Sequence, residues 1–265
     1  MARRHLREQG LQANQVGLIP AAAGGPKGLV LNGLDRHLFG HWLQGSQELH
    51  LVGASIGAWR MATACLPGDA DANFRAMAEA YVSQRYDERM PGQRRMPARE
   101  VSARFERTLA QQFAGREAQL LNHPRHRLHI VTSHGRTRLL LQEGRWRTPL
   151  GYLGAYAANA LRRRWLGRFL ERVVFSDSRT ALPLALHDFP SRSVRLDAEN
   201  VRPALLASCS IPFWLAAQHH LPGAPRGAYW DGGITDYHLH LDYRPLQQTT
   251  APLVLYPHFQ SSVLP

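Results

Sequence analysis

Two units of the same kind, each an apolar run followed by a glycine-containing turn and a helical pattern, limit the folds open to this chain. The first has the run VGLIPAAA at 16–23, a glycine-rich turn at 24–28 and apolar residues at helical spacing over 29–44. The second has ELHLVGA at 48–54 and a helix expected to begin at Ile56. Short apolar runs bounded by glycine are typical of buried strands, and alternation with helices predicts βαβ units around a parallel sheet.

The remainder of the chain is expected to add helices and short strands to these units. Helical patterns cover residues 70–121, with a break at 90–97, and residues 198–209. The segments 127–134 and 137–142, joined by a short glycine-containing turn, are interpreted as a β-hairpin. Because no internal repeat or low-complexity linker interrupts the chain, we expect a single α/β domain.

A long amphipathic helix is predicted over 152–174, leading into a strand at 172–178, and further short strands are predicted at 227–233 and 251–257. The helix mixes apolar side chains with arginines: Leu161, Trp165, Leu166 and Phe169 with Arg162, Arg163, Arg164, Arg168 and Arg172. Such a mixture suits a helix that lies in a lipid interface. A helix packed on the core with a solvated arginine face is the simpler interpretation, and both stay open.

Charge and cysteine content bear on the partners of the chain. Its 265 residues carry a formal net charge of +12, and Lys27 is the only lysine. A basic balance favours anionic partners, either nucleic acid or phospholipid head groups. Cys65 and Cys209 are too few for a disulfide framework, so we expect buried, reduced thiols.

The termini and the hydropathy pattern bear on location. The apolar stretch at 16–23 is short and contains Pro20, which does not fit a secretory signal, and no run of about 18 apolar residues occurs. We therefore expect a cytoplasmic protein without a transmembrane helix, with peripheral membrane contact as a further expectation. The sequence leaves open whether a terminal helix follows PHFQSSVLP in the intact protein.

A serine stands between two glycines at the end of the second predicted strand. Residues 53–57, GASIG, fit the pattern G-x-S-x-G, and Ser55 would sit on the turn between strand and helix. A serine on such a turn takes a strained backbone conformation, and glycines such as Gly53 and Gly57 relieve the crowding two residues away. The helix N-terminus would favour negative charge that develops at the hydroxyl. The context predicts a nucleophile; an ordinary turn is the alternative.

A serine nucleophile also needs an oxyanion hole, and the glycine-rich turn at 24–28 is the candidate. Gly24 and Gly25 let backbone N–H groups approach a substrate oxygen, whereas Pro26 has no N–H and can only shape the loop. Lys27 would add a positive charge nearby. A nucleotide phosphate loop is disfavoured, because the turn lacks the first glycine of that motif and Gly28 follows the lysine.

The base of the reaction is sought in the C-terminal half of the chain. Asp231 ends a short aromatic strand and is followed by Gly232 and Gly233. A carboxylate in that position can reach into a site from a neighbouring strand, although Asp-Gly-Gly alone is also ordinary turn chemistry. Because the chain also contains the glycine-rich turn and the G-x-S-x-G motif, the interpretation of Asp231 as a base is favoured.

The three motifs together resemble the patatin-like phospholipase family. The family pattern G-G-G-x-[KR]-G is similar to residues 23–28, its G-x-S-x-G motif to 53–57 and its D-G-[GA] motif to 231–233. The stretch ASCSIPFW at 207–214 resembles the family's small-residue segment before the aspartate. The resemblance covers roughly residues 16–240.

The resemblance implies roles for individual residues. Ser55 would be the nucleophile and Asp231 the base of a catalytic dyad, with the N–H groups of Gly24 and Gly25 as the oxyanion hole. Ala23 departs from the pattern, because the family usually has glycine there, and a positive φ at this residue would strain the hole.

The resemblance also implies a fold and an activity. The fold would be a three-layer α/β/α domain with a mostly parallel sheet, spanning residues 1–265 with its core at roughly 16–260. The activity would be hydrolysis of acyl esters in lipids or phospholipids, with no metal and no other cofactor. The implied partners are lipid substrate and an anionic membrane surface, with no nucleic acid.

One alternative is an α/β-hydrolase-type esterase with a Ser-His-Asp triad. That order along the chain would be met by Ser55, by Asp231 or Asp177, and by one of His238, His240 or His258. Two further alternatives are a metal enzyme, with ligands from His219–His220 or from HLHLD at 238–242, and a basic binding protein without catalysis. No helix-turn-helix, zinc-finger or RNA-recognition pattern supports nucleic-acid binding.

Overall fold

The computed structural model describes residues 2–45, 47–85 and 96–260. In these ranges a mixed β-sheet lies between two layers of helices and loops. Its strands are β1 (Val16–Ala21), β2 (Leu49–Ala54), β3 (His126–Gly135), β4 (Leu170–Ser176), β5 (Ser191–Arg195), β6 (Gln218–His219), β7 (Ala228–Asp231) and β8 (Leu253–Val254).

The helices follow the order that the two predicted units require at the start of the chain. The α-helices are α1 (Ala2–Gln9), α2 (Asn32–His37), α3 (Ile56–Ala64), α4 (Ala70–Val82), α5 (Ala98–Phe113), α6 (Glu117–Leu121), α7 (Arg147–Leu161), α8 (Arg163–Leu166), α9 (Val201–Ser208) and α10 (Gly233–Asp236). Short 3₁₀ helices cover Ala13–Gln15, Gly25–Leu31 and Arg244–Gln248, and a π-helical turn covers Leu38–Trp42.

The strand order is β5-β4-β3-β2-β1-β8, and β7 pairs with both β3 and β6. The pairs β1–β2, β1–β8, β2–β3 and β4–β5 are parallel, whereas β3–β4, β3–β7 and β6–β7 are antiparallel. The predicted α/β fold, with three layers around a mostly parallel sheet, is confirmed.

Strand β3 brings two distant parts of the chain together at one edge. Its first half pairs with β2, so that the last residue of β2, Ala54, lies opposite Val131. The next residue of β3, Thr132, lies opposite Asp231, the last residue of β7. Because β2 ends where β7 takes over its place beside β3, Ser55 emerges next to the end of β7.

The buried side chains of the sheet alternate between two cores. Leu51 and Ile130 face the larger core, where Trp59 of α3 is fully buried, whereas Val52 and Val131 face the opposite layer. Strands buried on both faces explain why these segments are continuous apolar runs in the sequence. Both cysteines are buried and free, as predicted.

A buried ion pair fixes helix α3, which begins directly after Ser55. Asp35 of α2 accepts hydrogen bonds from Arg60 Nε at 2.6 Å and from Arg60 Nη2 at 2.7 Å, and both side chains are almost completely buried. Burial raises the pKa of Asp35, and the Arg60 guanidinium opposes this shift. Removing either partner would leave an uncompensated buried charge, so the pair locks α3 against α2.

The predicted hairpin at 127–134 and 137–142 is wrong. Residues 137–142 form turns, and β3 pairs instead with β2 and β7 along one edge and with β4 along the other. The chain turns back so closely after β3 that a Cβ at Gly135 would lie 2.0 Å from the Leu140 carbonyl oxygen. Leu140 then fills a small core beneath α7.

The predicted continuous helix over 152–174 is also wrong. Helix α7 ends at Leu161, and Arg162 is extended, with φ −158° and ψ 126°, before the short helix α8. Leu166 is therefore buried, and Arg172 lies inside strand β4 with no exposed side-chain surface. These two residues cannot belong to a lipid-facing helix surface.

Arg172 lies in strand β4 instead of the predicted helix, and its charge is paired there. Its guanidinium lies 2.6 Å from Asp236 of α10 and 3.0 Å from Asp188, which satisfies a cation that is otherwise buried. None of the helices in the described part of the chain is long and apolar enough to cross a bilayer.

Candidate active site

Ser55 occupies a sharp turn between β2 and α3 in a conformation that non-glycine residues rarely adopt. Its φ is 56° and its ψ is −130°, which costs about 1–3 kcal/mol. A Cβ at Gly53 would lie 2.4 Å from the Ala58 backbone, and one at Gly57 would lie 1.9 Å from the Ala21 carbonyl oxygen. The two glycines are therefore required by close packing, as the G-x-S-x-G spacing predicted.

A second serine holds this turn in place. The Ser55 N–H donates to Ser208 Oγ at 2.9 Å, and the Ser208 hydroxyl donates to the Val131 carbonyl oxygen at 2.6 Å. The Ser208 carbonyl oxygen accepts from the Gly232 N–H at 3.1 Å. Ser208 thus connects the turn, strand β3 and the end of β7. Ser208 lies in the segment ASCSIPFW, but its role was not predicted, because no local sequence pattern indicates it.

The Ser55 hydroxyl donates to the Asp231 carboxylate, with Oγ 2.6 Å from Oδ2. The other carboxylate oxygen, Oδ1, accepts from the Gly233 N–H at 2.7 Å. The backbone of Asp231 is fixed as well, because its carbonyl oxygen accepts from Ser133 Oγ and its N–H donates to the Ser210 carbonyl oxygen. The structure therefore brings together the two residues that the sequence placed 176 positions apart.

Burial raises the pKa of Asp231 to about 6, and the hydrogen bonds from Ser55 and Gly233 partly oppose this shift. Both Ser55 and Asp231 are almost completely buried, at 4% and 5% exposure. A carboxylate with this pKa is a stronger base than a solvated one and is still ionised at neutral pH. The shift follows from desolvation.

The same shift predicts a pH-dependent cost in stability. The pKa of Asp231 lies above its ordinary value of 3.8, so the folded state holds this proton more tightly and loses stability as the pH rises from about 4 to about 6. Asn at this position cannot titrate. We therefore expect the unfolding free energy of Asp231→Asn, relative to that of the native protein, to increase by on the order of 3 kcal/mol as the pH rises across this window. Urea unfolding of both proteins from acid to neutral pH measures the difference; a gap that is constant with pH would contradict it.

The glycine-rich turn lies beside Ser55, and the positive φ angles in it occur at glycines. Gly24 has φ 154° and Gly25 has φ 54°, whereas Ala23 is not among the residues with positive φ. Ala23 donates its N–H to the Tyr237 carbonyl oxygen at 2.9 Å. Alanine in place of the usual glycine therefore brings no backbone strain. Gly24 precedes and Gly25 begins a 3₁₀ helix, so no carbonyl of that helix accepts from their N–H groups.

The other residues of this turn have different positions. Pro26 lines the site, and Gly28 packs against the side chain of Ile56, the first residue of α3. Lys27 is exposed and lines neither of the cavities at Ser55. The positive charge of Lys27 was expected beside Ser55, but it lies at the protein surface instead.

Two cavities meet at Ser55, and both are also lined by Gly25, Pro26 and Ile211. The smaller has a volume of about 340 Å³ and contains Asp231. The larger has a volume of about 680 Å³, and its walls are mainly apolar, including Leu29, Trp59, Val101, Phe105, Trp214 and Leu215. An elongated apolar group can enter the larger cavity while its polar end reaches Ser55. Sequence patterns did not identify these walls, because they come from separate helices and a loop.

The histidines considered for a triad have other partners. His238 Nδ1 lies 3.1 Å from His258 Nε2, and His240 is exposed. Within the described residues, no hydrogen bond joins a histidine ring to Ser55 or to the Asp231 carboxylate. The alternative carboxylate, Asp177, forms an ion pair with Arg179 at 2.5 Å; the pairing observed at Ser55 is with Asp231.

The residues considered for a metal site do not lie on one strand. The segment 238–241 is irregular, and Asp242 makes only an isolated bridge to Ala185. His219 and His220 have ring centroids 6.1 Å apart. Across residues 2–45, 47–85 and 96–260, no group of three or more histidine, cysteine, aspartate or glutamate residues is arranged to hold a metal ion.

A buried serine–aspartate pair on a strand–turn–helix, beside a glycine-rich turn, is the arrangement of an acyl hydrolase built on an α/β sheet. The family model for patatin-like phospholipases matches residues 22–238, and the chain belongs to this family. Patatin-like phospholipases act on lipids, and membership supports lipid acyl hydrolase activity in general terms. No curated protein and no solved structure matched the chain.

Proposed function

We propose that this protein is a serine acyl hydrolase that cleaves acyl ester bonds of lipids, with phospholipids as the substrate class. Ser55 is the nucleophile, Asp231 is the base, and the N–H groups of Gly24 and Gly25 form the oxyanion hole. The observation that carries the proposal is the 2.6 Å hydrogen bond from Ser55 Oγ to the buried Asp231 carboxylate. This contact gives the hydroxyl a base within direct proton-transfer distance.

In the first half of the reaction, Ser55 Oγ attacks the ester carbonyl carbon while its proton passes to Asp231 Oδ2. The resulting oxyanion accepts hydrogen bonds from Gly24 and Gly25, which removes charge from the tetrahedral oxygen. The bond from carbon to the alcohol oxygen then breaks, and the alcohol leaves with the proton from Asp231. An acyl group remains on Ser55 Oγ.

In the second half, a water molecule attacks the acyl carbon and gives its proton to Asp231. The bond from carbon to Ser55 Oγ breaks, Oγ takes the proton back from Asp231, and the carboxylic acid leaves. The Ser55 proton leaves with the alcohol and is replaced by one from water, and Asp231 ends the cycle ionised, so the chain and one water molecule suffice. The proposal accordingly includes no cofactor.

The cavities support a lipid substrate. The larger cavity, with its Trp59, Phe105 and Leu215 walls, suits a fatty acyl chain, since burial of each methylene contributes about 0.8 kcal/mol. The smaller cavity, on the Asp231 side, suits the alcohol part of the ester. An ester whose alcohol part fills the smaller cavity would exclude water from Asp231, which lines that cavity, and would thereby keep its pKa raised.

Two features make the alternatives less favourable. A triad would need a histidine between Ser55 and a carboxylate, whereas that place is taken by the direct contact with Asp231. A nucleic-acid partner is not part of the proposal, because the cavities at Ser55 are apolar rather than arginine-lined.

The test is hydrolysis of phospholipid in mixed micelles, followed by measurement of free fatty acid and lysophospholipid. We expect the native protein to release both in equal amounts, and a Ser55→Ala preparation to release neither. Release of a phosphorylated head group without fatty acid would contradict ester cleavage at the acyl chain. Absence of all products, with diacylglycerol and monoacylglycerol also unreactive, would contradict the lipid substrate class.

A further inference from the structure

Helix α7 has its large apolar side chains on the side that faces away from the protein. Its buried positions are small or polar, namely Thr148, Gly151 and Ala155. Gly151 allows a close approach, because a Cβ there would lie 2.7 Å from the Leu140 side chain. The side chains we call the outer face are all at least 55% exposed: Trp146, which directly precedes the helix, with Leu150, Leu153, Tyr156 and Leu161.

This distribution is the reverse of an ordinary surface helix, which buries its large apolar residues and exposes polar ones. Leu150, Leu153 and Leu161 fall on one side of the helix, because they are spaced three and eight residues apart. Contiguous exposed apolar surface of this kind marks an interaction site more often than single exposed residues do. The outer face is therefore a surface that lacks its partner.

The charge around the outer face restricts what that partner can be. Residues 145–169 contain six arginines and no aspartate or glutamate. Within the described part of the chain, no carboxylate forms an ion pair with Arg145, Arg162, Arg164 or Arg168. Arg163 differs, because its side chain bonds to Asp236 of α10 at 3.2 Å and so ties this segment to the element after Asp231.

Helix α7 contacts the loop at the entrance of the candidate active site through a half-buried tyrosine. Tyr152, on the flank of α7, has its ring 5.9 Å from that of Phe213 and 5.7 Å from that of Trp230, which precedes Asp231. Phe213 is 49% exposed, and its neighbours Ile211 and Trp214, which line the larger cavity, are 43% and 62% exposed. Helix α7 is therefore packed, through Tyr152, against a loop whose exposed apolar side chains lie at the mouth of the cavity.

We propose that the outer face of α7 and its flanking arginines dock the protein on an anionic phospholipid membrane. Apolar side chains at the acyl boundary, with arginines at head-group level, are the two components of interfacial binding. A second copy of the chain fits less well, because a symmetric contact would bring the arginine-rich, acid-free segments together. The choice of lipid as partner rests on the proposed function, whereas the surface itself is defined by exposure and charge.

Co-sedimentation with vesicles tests the proposal without any need for turnover. The native protein should bind vesicles of phosphatidylcholine with phosphatidylglycerol more tightly than phosphatidylcholine alone, and added salt should weaken that preference. The variant Leu150→Glu/Leu153→Glu should lose binding to both. The variant Arg162→Gln/Arg164→Gln/Arg168→Gln should bind anionic vesicles on the order of a hundredfold more weakly, since each arginine near the surface contributes about fivefold.

The matched control is Arg99→Gln/Arg107→Gln/Arg195→Gln, which removes the same charge from exposed arginines on α5 and β5 and should bind like the native protein. Thermal unfolding checks that every variant is folded. The proposal is overturned if the α7 variants bind like the native protein, if the control loses as much affinity as they do, or if the native protein binds no vesicle. A dimer that the Leu150→Glu/Leu153→Glu variant disrupts would also overturn it in favour of self-association. Vesicle binding by a protein that hydrolyses no ester would refute the proposed function and leave the docking surface standing.

Discussion

Replacing Ser55 by alanine is expected to abolish ester hydrolysis, with a fall in kcat of at least about a thousandfold. The hydroxyl is the group that attacks the ester in the proposed reaction, and alanine leaves no nucleophile at the turn. The fold should persist, because the turn is held through the Ser55 backbone N–H and Ser208, which the substitution does not touch. The measurement is turnover of a short-chain acyl ester, with circular dichroism to establish folding.

Ser193→Ala provides the matched control, since Ser193 is exposed on β5, away from both cavities at Ser55. Its activity should equal that of the native protein. A folded Ser55→Ala protein that keeps native turnover would remove Ser55 from the mechanism.

Replacing Asp231 by asparagine is expected to lower kcat by about two to four orders of magnitude. An amide can still accept a hydrogen bond from Ser55, but it cannot take the proton at neutral pH. In the native protein, kcat/KM should rise with pH through about 6, because Asp231 acts in its ionised form and burial raises its pKa to that value. Turnover measured against pH for both proteins reports the base directly.

The histidine variants separate the dyad from a triad. His238→Ala, His240→Ala and His258→Ala should each retain most of the activity, because the Asp231 carboxylate bonds to Ser55 and Gly233 and to no histidine among the described residues. In a triad the imidazole takes the proton, so its loss would be as damaging as the loss of the serine. A folded histidine variant as inactive as Ser55→Ala would replace the dyad by a triad.

The first strand–turn–helix units were predictable because their information is local. The apolar runs at 16–23 and 48–54 are each followed by a glycine-containing turn. Around Ser55, the spacing of the glycines has a steric cause, which is the close packing at Gly53 and Gly57. The position of Ser55 on its turn follows from the same few residues. These local patterns were enough for the prediction, although in the fold Gly57 packs against Ala21 and the Ser55 N–H donates to Ser208.

The meeting of Ser55 with Asp231 is not local, and motif order alone could only suggest it. It depends on strand β3, which pairs with β2 up to Val131 and with β7 from Thr132 onward. Ser208 was missed for the same reason, because its hydroxyl acts on residues that lie far from it in the sequence.

The two wrong predictions also have long-range causes. Residues 137–142 look like a strand, but both edges of β3 are already occupied. The helix predicted over 152–174 stops at Leu161, and the last residues of that segment instead form β4, which pairs with β3 and β5. Helical periodicity likewise did not indicate which side of α7 faces outward, since its buried side is made of small residues.

The central claim is that Ser55 is an activated nucleophile, and reaction with a fluorophosphonate tests it most directly. The reagent phosphonylates an activated serine hydroxyl with loss of fluoride, and peptide mass spectrometry locates the group. We predict one phosphonyl group on Ser55 of the native protein, much slower labelling of Asp231→Asn, and none of the Ser55→Ala or heat-denatured protein. Labelling at another residue, or equal labelling before and after denaturation, would contradict the account.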